Sequence, residues 1–300
     1  MNKPLLTFLF TAILVSTYSQ TQIGNSDFES WETVAPGEEP LNWNSFLTAT
    51  GSLSWAASDQ LQSSTDIRPG STGTKSAKIF SNSTLGVVAN GNLTVGQINM
   101  NSASPANSNN YNSSITANTN FSEALTGSPD SLVFWAKFTP ANASGTDSAG
   151  VSAIIHDNYN LRDPLDANSQ THIVAVAATN YASTNGNWVR ISVPFNYTGP
   201  ASSPEFILIT FTTNRTPGGG SDNDQVWIDD VELIYNTPAG IEEQTSSVLS
   251  ARIKNHELII QSSIGTEGKV SIYNAAGHFF HSAAPTDTYT FCETGLFVVR

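Results

Sequence analysis

Ser131-Leu132-Val133-Phe134-Trp135-Ala136-Lys137-Phe138 is the stretch that decides the fold class of this chain. Side chains alternate across a strand, so Leu132, Phe134, Ala136 and Phe138 make one apolar face, and Val133, Trp135 and Lys137 share the other. β-branched and aromatic residues fit such a pleated surface. Runs of the same character recur at 76–80, 93–98, 151–156, 172–177, 188–195, 205–212 and 225–235. Asn, Gly, Ser and Pro clusters separate them, and these residues form turns. No stretch of the body shows a capped helical period. The expectation is an all-β protein with a jelly-roll β-sandwich as its body. Residues 101–120 read as an Asn/Ser-rich loop, and Gly218-Gly219-Gly220-Ser221 as a tight turn before the last body strand.

The two ends differ from the body. Lys3 precedes an apolar run from Pro4 to Val15, and the small polar residues Ser16-Thr17-Tyr18-Ser19 follow it. The run suits the roughly 7–15 residue core of a signal peptide and falls short of the about 20 residues that span a bilayer. Residues 1–19 are therefore expected to be an export signal, and no transmembrane span is expected. The body runs over 20–236. Thr237-Pro238-Ala239-Gly240 opens a linker over 237–245. Strand candidates at 257–261, 268–273, 277–281 and 295–299 then predict a small C-terminal β-sandwich within 246–300.

Composition removes several functions. The 300 residues carry 12 basic and 25 acidic side chains, a net charge of −13. Nucleic-acid binding needs cations to neutralise phosphate, so no nucleic-acid partner is expected. With 15 Phe, 8 Tyr and 6 Trp and only 12% charged residues, the chain is no candidate for disorder. One cysteine, Cys292, allows neither an intramolecular disulfide nor a CxxC metal knuckle.

Catalytic patterns are sparse as well. Five His form no HxH or HExxH pattern, and no G-x-S-x-G elbow occurs. Asp157, Asp163 and Asp166 follow one strand closely. Glycoside hydrolysis, however, calls for two carboxylates roughly 5–10 Å apart across a substrate, and closeness in sequence does not supply that. His156 and Asp157 are strand neighbours facing opposite sides, and His172 stands alone. The expectation is a chain that is not an enzyme, with no catalytic residue. Binding has better candidates. Sugar rings stack on flat aromatic faces, and Trp135 shares its strand face with Lys137. Tyr159, Arg162 and Tyr181 are read as loop residues able to line a cleft.

The ends of the body carry a resemblance. Asn25-Ser26-Asp27-Phe28-Glu29 opens it, Gly73-Thr74-Lys75-Ser76-Ala77-Lys78-Ile79 lies between, and Ile228-Asp229-Asp230-Val231-Glu232-Leu233 closes it. The trio resembles the jelly-roll carbohydrate-binding modules of families 4 and 22. That resemblance implies a structural calcium held by Glu29, one of Asp229 or Asp230, and main-chain carbonyls near Gly73 and Lys75. Such hard oxygens suit calcium. A broader match runs through Ala89 to Ile98, Leu125 to Phe138, Asp147, His156 and Gly220 to Leu233. It resembles the carbohydrate metabolism domain common in Bacteroidetes surface proteins, and implies a glycan role without a defined catalytic residue.

The C-terminal segment is similar to the sorting domain of the type IX secretion system, through Leu258-Ile259-Ile260, Val270 to Gly277 and Gly295 to Arg300. It departs from that family in lacking a Pro-Asn-Pro and in stopping before the usual last strand. The resemblance implies the secretion machinery as a partner, and a secreted, extracellular or outer-membrane-surface location. The combined expectation is an exported protein whose jelly roll binds a glycan or polysaccharide. The alternative is a structural or adhesive surface protein with a stabilising calcium and no sugar site, and behind it stands a glycan-active enzyme.

Overall fold

The computed structural model describes residues 20–84, 86–143, 145 and 147–235, and six strands between 249 and 299. The expected signal peptide and linker lie outside the described residues. The chain divides into two compact units, Met1–Asn236 and Thr237–Arg300.

Among the described residues, seventeen strands build the first unit. β1 (Trp31–Val34) and β2 (Gly37–Pro40) form a hairpin. β3 (Leu61–Ser64) and β4 (Ser76–Phe80) precede a second hairpin, β5 (Asn82–Thr84) and β6 (Val87–Ala89). Then come β7 (Asn92–Thr94), β8 (Gln97–Asn99), β9 (Tyr111–Ser113), β10 (Glu123–Ala124), β11 (Ser131–Thr139) and β12 (Ala149–His156). β13 (Arg162–Asp163), β14 (Ile173–Tyr181), β15 (Val189–Pro194), β16 (Phe206–Thr212) and β17 (Gln225–Ile234) complete the unit. One five-stranded sheet has the order β15-β11-β17-β4-β3. The other has the order β10-β16-β12-β14, with β7 also paired to β16. All these pairings are antiparallel.

The core lies between the two sheets. Leu132, Phe134, Ala136 and Phe138 are each 0% exposed and belong to one apolar cluster with Ile155, Ile207 and Phe211. The period of two in β11 sets which side chains enter this core, while Val133 and Lys137 on the other face are buried as well. Phe134 meets Phe211 edge-on at 5.0 Å between centroids, so one ring from each sheet interlocks. Such contacts add roughly 0.5–1.5 kcal/mol beyond the buried area. The fold is the all-β jelly-roll sandwich that the alternation predicts.

Where a single strand was expected over 93–98, the chain breaks into β7 and β8. The hydroxyl of Thr94 accepts the Gly96 N–H at 3.1 Å and turns the backbone there. A Cβ on Gly96 would meet the Ser113 carbonyl and Leu208, so only glycine passes this point. Helical structure among the described body residues is confined to 3-10 turns, including Ser54–Ala56 and Ser169–His172. No helix among the described residues is long and apolar enough to cross a membrane.

The second unit contains β18 (Leu249–Lys254), β19 (Glu257–Ser262), β20 (Val270–Asn274), β21 (Phe279–Ala283), β22 (Thr288–Thr290) and β23 (Phe297–Val299). They form two three-stranded sheets, β18-β19-β22 and β21-β20-β23. β18 and β22 were not among the four strands read from the sequence.

Candidate binding groove

β12, β14 and β16 bury alternate side chains in the core, so the other set faces outward. At one end of that outer face, Ile154 and Leu208 are sealed by Leu161, with Tyr159 and Leu165 packed beside them. At the other end the outward side chains are small or polar, and the face opens to solvent. Gly150, Ser152, Ala178, Asn180, Thr210 and Thr212 there floor a groove of about 710 Å³. These small and polar residues give a low, hydrogen-bonding surface.

Amide side chains line the groove with fixed orientation. Asn92 of β7 donates to the Asn112 side-chain oxygen at 3.2 Å. Asn112 of β9 donates to the Thr210 hydroxyl at 3.2 Å. Thr210 donates to Thr94, which donates to the Ile209 carbonyl. The side-chain oxygens of Asn90 and Asn92 have no hydrogen-bond partner among the described residues. An unmatched buried acceptor carries a cost until it meets a donor. Asp163 of β13 reaches the same groove. Burial pushes its carboxyl above the usual carboxylate range, against a hydrogen bond from Ser152 that lowers it.

Trp55 stands at the lip of the groove with 78% of its surface exposed. It belongs to the 3-10 turn Ser54–Ala56, and that turn is strapped to the edge of β8. Thr50 donates its N–H to Ile98, and Leu53 to Met100, each at 2.9 Å. Ser52 donates to the Asn101 side chain at 3.0 Å. The ring therefore stays hydrated and packs into no core, and it adds to the apolar part of the groove lining.

A second cavity, of about 600 Å³, adjoins the first through Asn99 and Tyr111, which line both. The Arg162 guanidinium lies 4.3 Å from the Tyr111 ring centroid. Tyr159 also lines this cavity, stacked on His172 at 3.9 Å with 3° between the rings. His172 in turn bonds through Nδ1 to both Asp157 oxygens, at 2.8 and 3.0 Å. The histidine read as isolated is therefore half of a carboxylate pair. His156 is fully buried, its Nδ1 bonded to the Asp157 carbonyl at 2.7 Å and its Nε2 to Ser114 Oγ at 2.9 Å.

The residues singled out from sequence are dispersed. Tyr159 and Arg162 meet at the second cavity. Trp135 and Lys137 lie on the outer face of the other sheet. Arg68 sits 5.4 Å from the Trp135 ring, and Lys137 pairs with Asp66 between Trp227 and Trp188. Tyr181 corrects its reading as a loop residue. It ends β14 and packs its ring against Phe134 and Phe138 in the core, where burial raises its hydroxyl pKa. It turns inward because the strand continues past 177 and keeps its alternation.

The residues expected to hold a metal have the following partners. Glu29 accepts hydrogen bonds from Thr74 N, Lys75 N and the Thr74 hydroxyl. These outweigh burial and hold its carboxyl below the usual range. The carboxylate passes so close to Gly73 that a Cβ there would collide with it. Asp230 pairs with Arg68. Asp229 is 1% exposed, and its Oδ1 has no partner among the described residues. Burial raises its pKa to about 6 against the Arg68 N–H. Asp229 Oδ1 is a hard oxygen of the kind calcium takes, whereas both Glu29 oxygens already accept donors from Thr74 and Lys75. No group of three or more His, Cys, Asp or Glu gathers among the described residues.

Sequence reasoning did not single out Trp55, Tyr111 or the groove floor. Trp55 had one signal, a tryptophan in Gly51-Ser52-Leu53-Ser54-Trp55-Ala56-Ala57-Ser58, where polar and small neighbours offer no core.

No family model matches the sequence, and no curated protein matches it. Solved structures do. A protein from Bacteroides thetaiotaomicron described as a "putative glycoside hydrolase" is 18% identical, with a TM-score of 0.52 over 73% of this chain and 72% of that one. One from Bacteroides vulgatus, described in the same words, is 18% identical at TM-score 0.45, over 68% and 89%. A structure described as "CBM4 structure and function" is 14% identical at TM-score 0.31, over 70% and 96%. The first of these shares the fold of this chain. That finding overturns the expectation of a chain that is not an enzyme, because the sandwich inferred to be purely a binding scaffold is also the architecture of a protein described as a hydrolase.

Proposed function

We propose that the body binds a glycan in the groove over β12, β14 and β16, as part of a secreted or cell-surface protein. The observation that carries this reading is Trp55, 78% exposed above a floor of small and polar side chains. A pyranose ring presents an apolar face and a rim of hydroxyls. Stacking on Trp55 uses the face, and the accessible amide and hydroxyl groups of Asn180 and Thr212 offer partners to the rim. We place the C-terminal unit on the secretion side of the protein's life, consistent with its resemblance to a sorting domain. We also assign Asp229 and Glu29 to a stabilising calcium.

A second reading has its own observation. Asp163 is a carboxyl raised by burial inside the groove, which is the condition of a proton donor to a glycosidic oxygen. One experiment addresses both readings. The full chain is screened for retention of soluble polysaccharides and for release of reducing ends, beside Trp55→Ala and Asp163→Asn. Trp55→Ala is expected to weaken retention about tenfold or more, close to 1.4 kcal/mol per tenfold, with unchanged melting. Equal retention by parent and variant removes the groove as the site. Reducing-end release that disappears in Asp163→Asn, with retention intact, establishes the hydrolytic reading.

A further inference from the structure

We infer that the second cavity is a binding site of its own and that it takes a carboxylate-bearing sugar, a uronate unit of an acidic glycan. The inference goes beyond the groove reading, because this cavity lies on the opposite face of the small sheet of β8, β9 and β13.

Strand alternation makes the separation. Gln97 pairs with Ser113, Ser113 with Arg162, and Asn99 with Tyr111. These five side chains share one face and line the second cavity. Their neighbours Ile98, Asn112 and Asp163 face the other way and line the groove. The sheet is thus a partition with a ligand surface on each side.

Charge names the class of ligand. Arg162 carries the one formal charge among the described residues that line this cavity, in a chain of net charge −13. Its backbone N–H donates to the hydroxyl of buried Ser169 at 3.0 Å, and its guanidinium lies 4.3 Å from the Tyr111 ring centroid. The group is therefore positioned before any ligand arrives. Asp166 Oδ2, its carboxylate partner among the described residues, lies 3.8 Å away, too far for a hydrogen bond. The other Asp166 oxygen already accepts the Ser169 N–H at 2.7 Å. Exposed pairs of this kind hold weakly. The guanidinium keeps its N–H donors for an incoming carboxylate, which it can take in two parallel hydrogen bonds.

The remaining lining suits sugar hydroxyls. Asn99 donates its amide N–H groups to the Ser113 hydroxyl and the Gln97 carbonyl, at 3.2 and 3.4 Å, and its side-chain oxygen remains an acceptor. Asn160 does the reverse. Its oxygen accepts from Thr116 N at 2.9 Å, and its amide N–H groups remain donors. Fixed acceptors and donors match the hydroxyls of a pyranose. Tyr159, stacked on His172 at 3.9 Å, supplies a fixed wall. The volume, about 600 Å³, lies within the roughly 300–1,000 Å³ usual for a small-ligand site.

The test titrates the full chain with oligogalacturonate, oligoglucuronate and alginate oligomers, each beside its uncharged methyl ester. Binding is followed by calorimetry and by amide chemical shifts. At least one acid is expected to bind about tenfold or more tighter than its ester. Its shifts should fall at 111–116 and 158–162 and not at 150–152, 178–180 or 210–212. Arg162→Gln should bind acid and ester alike while melting with the parent. Arg162→Lys keeps the charge without the two-pronged geometry and should recover only part of the preference. Acid and ester bound equally, a preference that survives in Arg162→Gln, or no binding of any acid overturns the inference. Shifts confined to the groove do so too, by moving the acid to the other face. In each of these cases the groove reading still stands on neutral polysaccharides retained through Trp55. Neutral retention that ignores Trp55→Ala removes the groove and leaves this site untouched.

Discussion

At the residue scale, two buried ionisable groups record how far this fold bends ordinary solution chemistry. His156 is fully buried, and desolvation lowers its pKa to about 4. The Asp157 carbonyl accepts from Nδ1, so Nε2 is the acceptor for Ser114 and the ring is held neutral. An unfolded histidine takes up its proton near pH 6.5, well before the folded one does. The stabilisation is therefore complete above pH 6.5 and is lost as pH falls through about 4. Its size is on the order of 3 kcal/mol. Asp229 works in the opposite sense. Its folded pKa of about 6 lies above the ordinary carboxylate value, so its contribution falls as pH rises toward 6. The two effects are separated by comparing His156→Gln with the parent in denaturant titrations at pH 7.5 and 4.5. The variant is expected to lose less stability on acidification. Parallel losses in both proteins would contradict the assignment.

At the element scale, the Asn-rich loop between β8 and β9 is an ordered wall of the groove. Asn110 makes four hydrogen bonds of 2.9 Å: it accepts from Asn101 N and Ser102 N, and donates to the carbonyls of Ser102 and Ser104. One side chain thus substitutes for the missing strand ladder. Each such bond contributes about 0.5–1.5 kcal/mol net. Because the loop lies outside the sandwich core, Asn110→Ala should loosen it locally and leave global melting within a few degrees. Faster amide exchange over 101–110 and weaker glycan retention are the expected readouts, and unchanged exchange would refute the role. The loop shows how far sequence reaches at this scale. Its Asn and Ser content predicted the absence of a strand over most of 101–120. It said nothing of which asparagine organises the rest, because any of them could make those bonds once the chain is folded. β4 and β11 were legible for the opposite reason, since their strand-forming composition is a local property of the sequence. β8 was not, because a turn at Gly96 depends on the distant Ser113 and Leu208.

At the scale of the whole molecule, the chain ends of the body meet. Val231 of β17 donates its N–H to Ser26 at 2.9 Å, and Glu29 reaches across to Thr74 and Lys75. A cation at Asp229 and Glu29 would tie the first segment, the β4 approach and the last large strand together. Binding to the folded form alone raises apparent stability with ligand concentration. Millimolar calcium is expected to raise the melting midpoint of the chelator-treated protein by several degrees, and Asp229→Asn to abolish the rise. A parent protein indifferent to calcium and chelator would dispose of the metal site.

What the sequence determined by itself is the architecture. The apolar alternation of β11, strong strand composition and turn clusters are local properties, and they point to an all-β sandwich without reference to distant contacts. The division near residue 236 also follows from local composition. What only the tertiary structure decided is the site. Trp55, Tyr111, Asp163 and the asparagines of β7 and β9 lie far apart along the chain, and their convergence depends on strand pairing and loop path, which no local pattern encodes. Trp135 and Tyr181 make the same point from the other side. Both have the right chemistry, and three-dimensional placement put one beneath Arg68 on the opposite sheet and the other in the core.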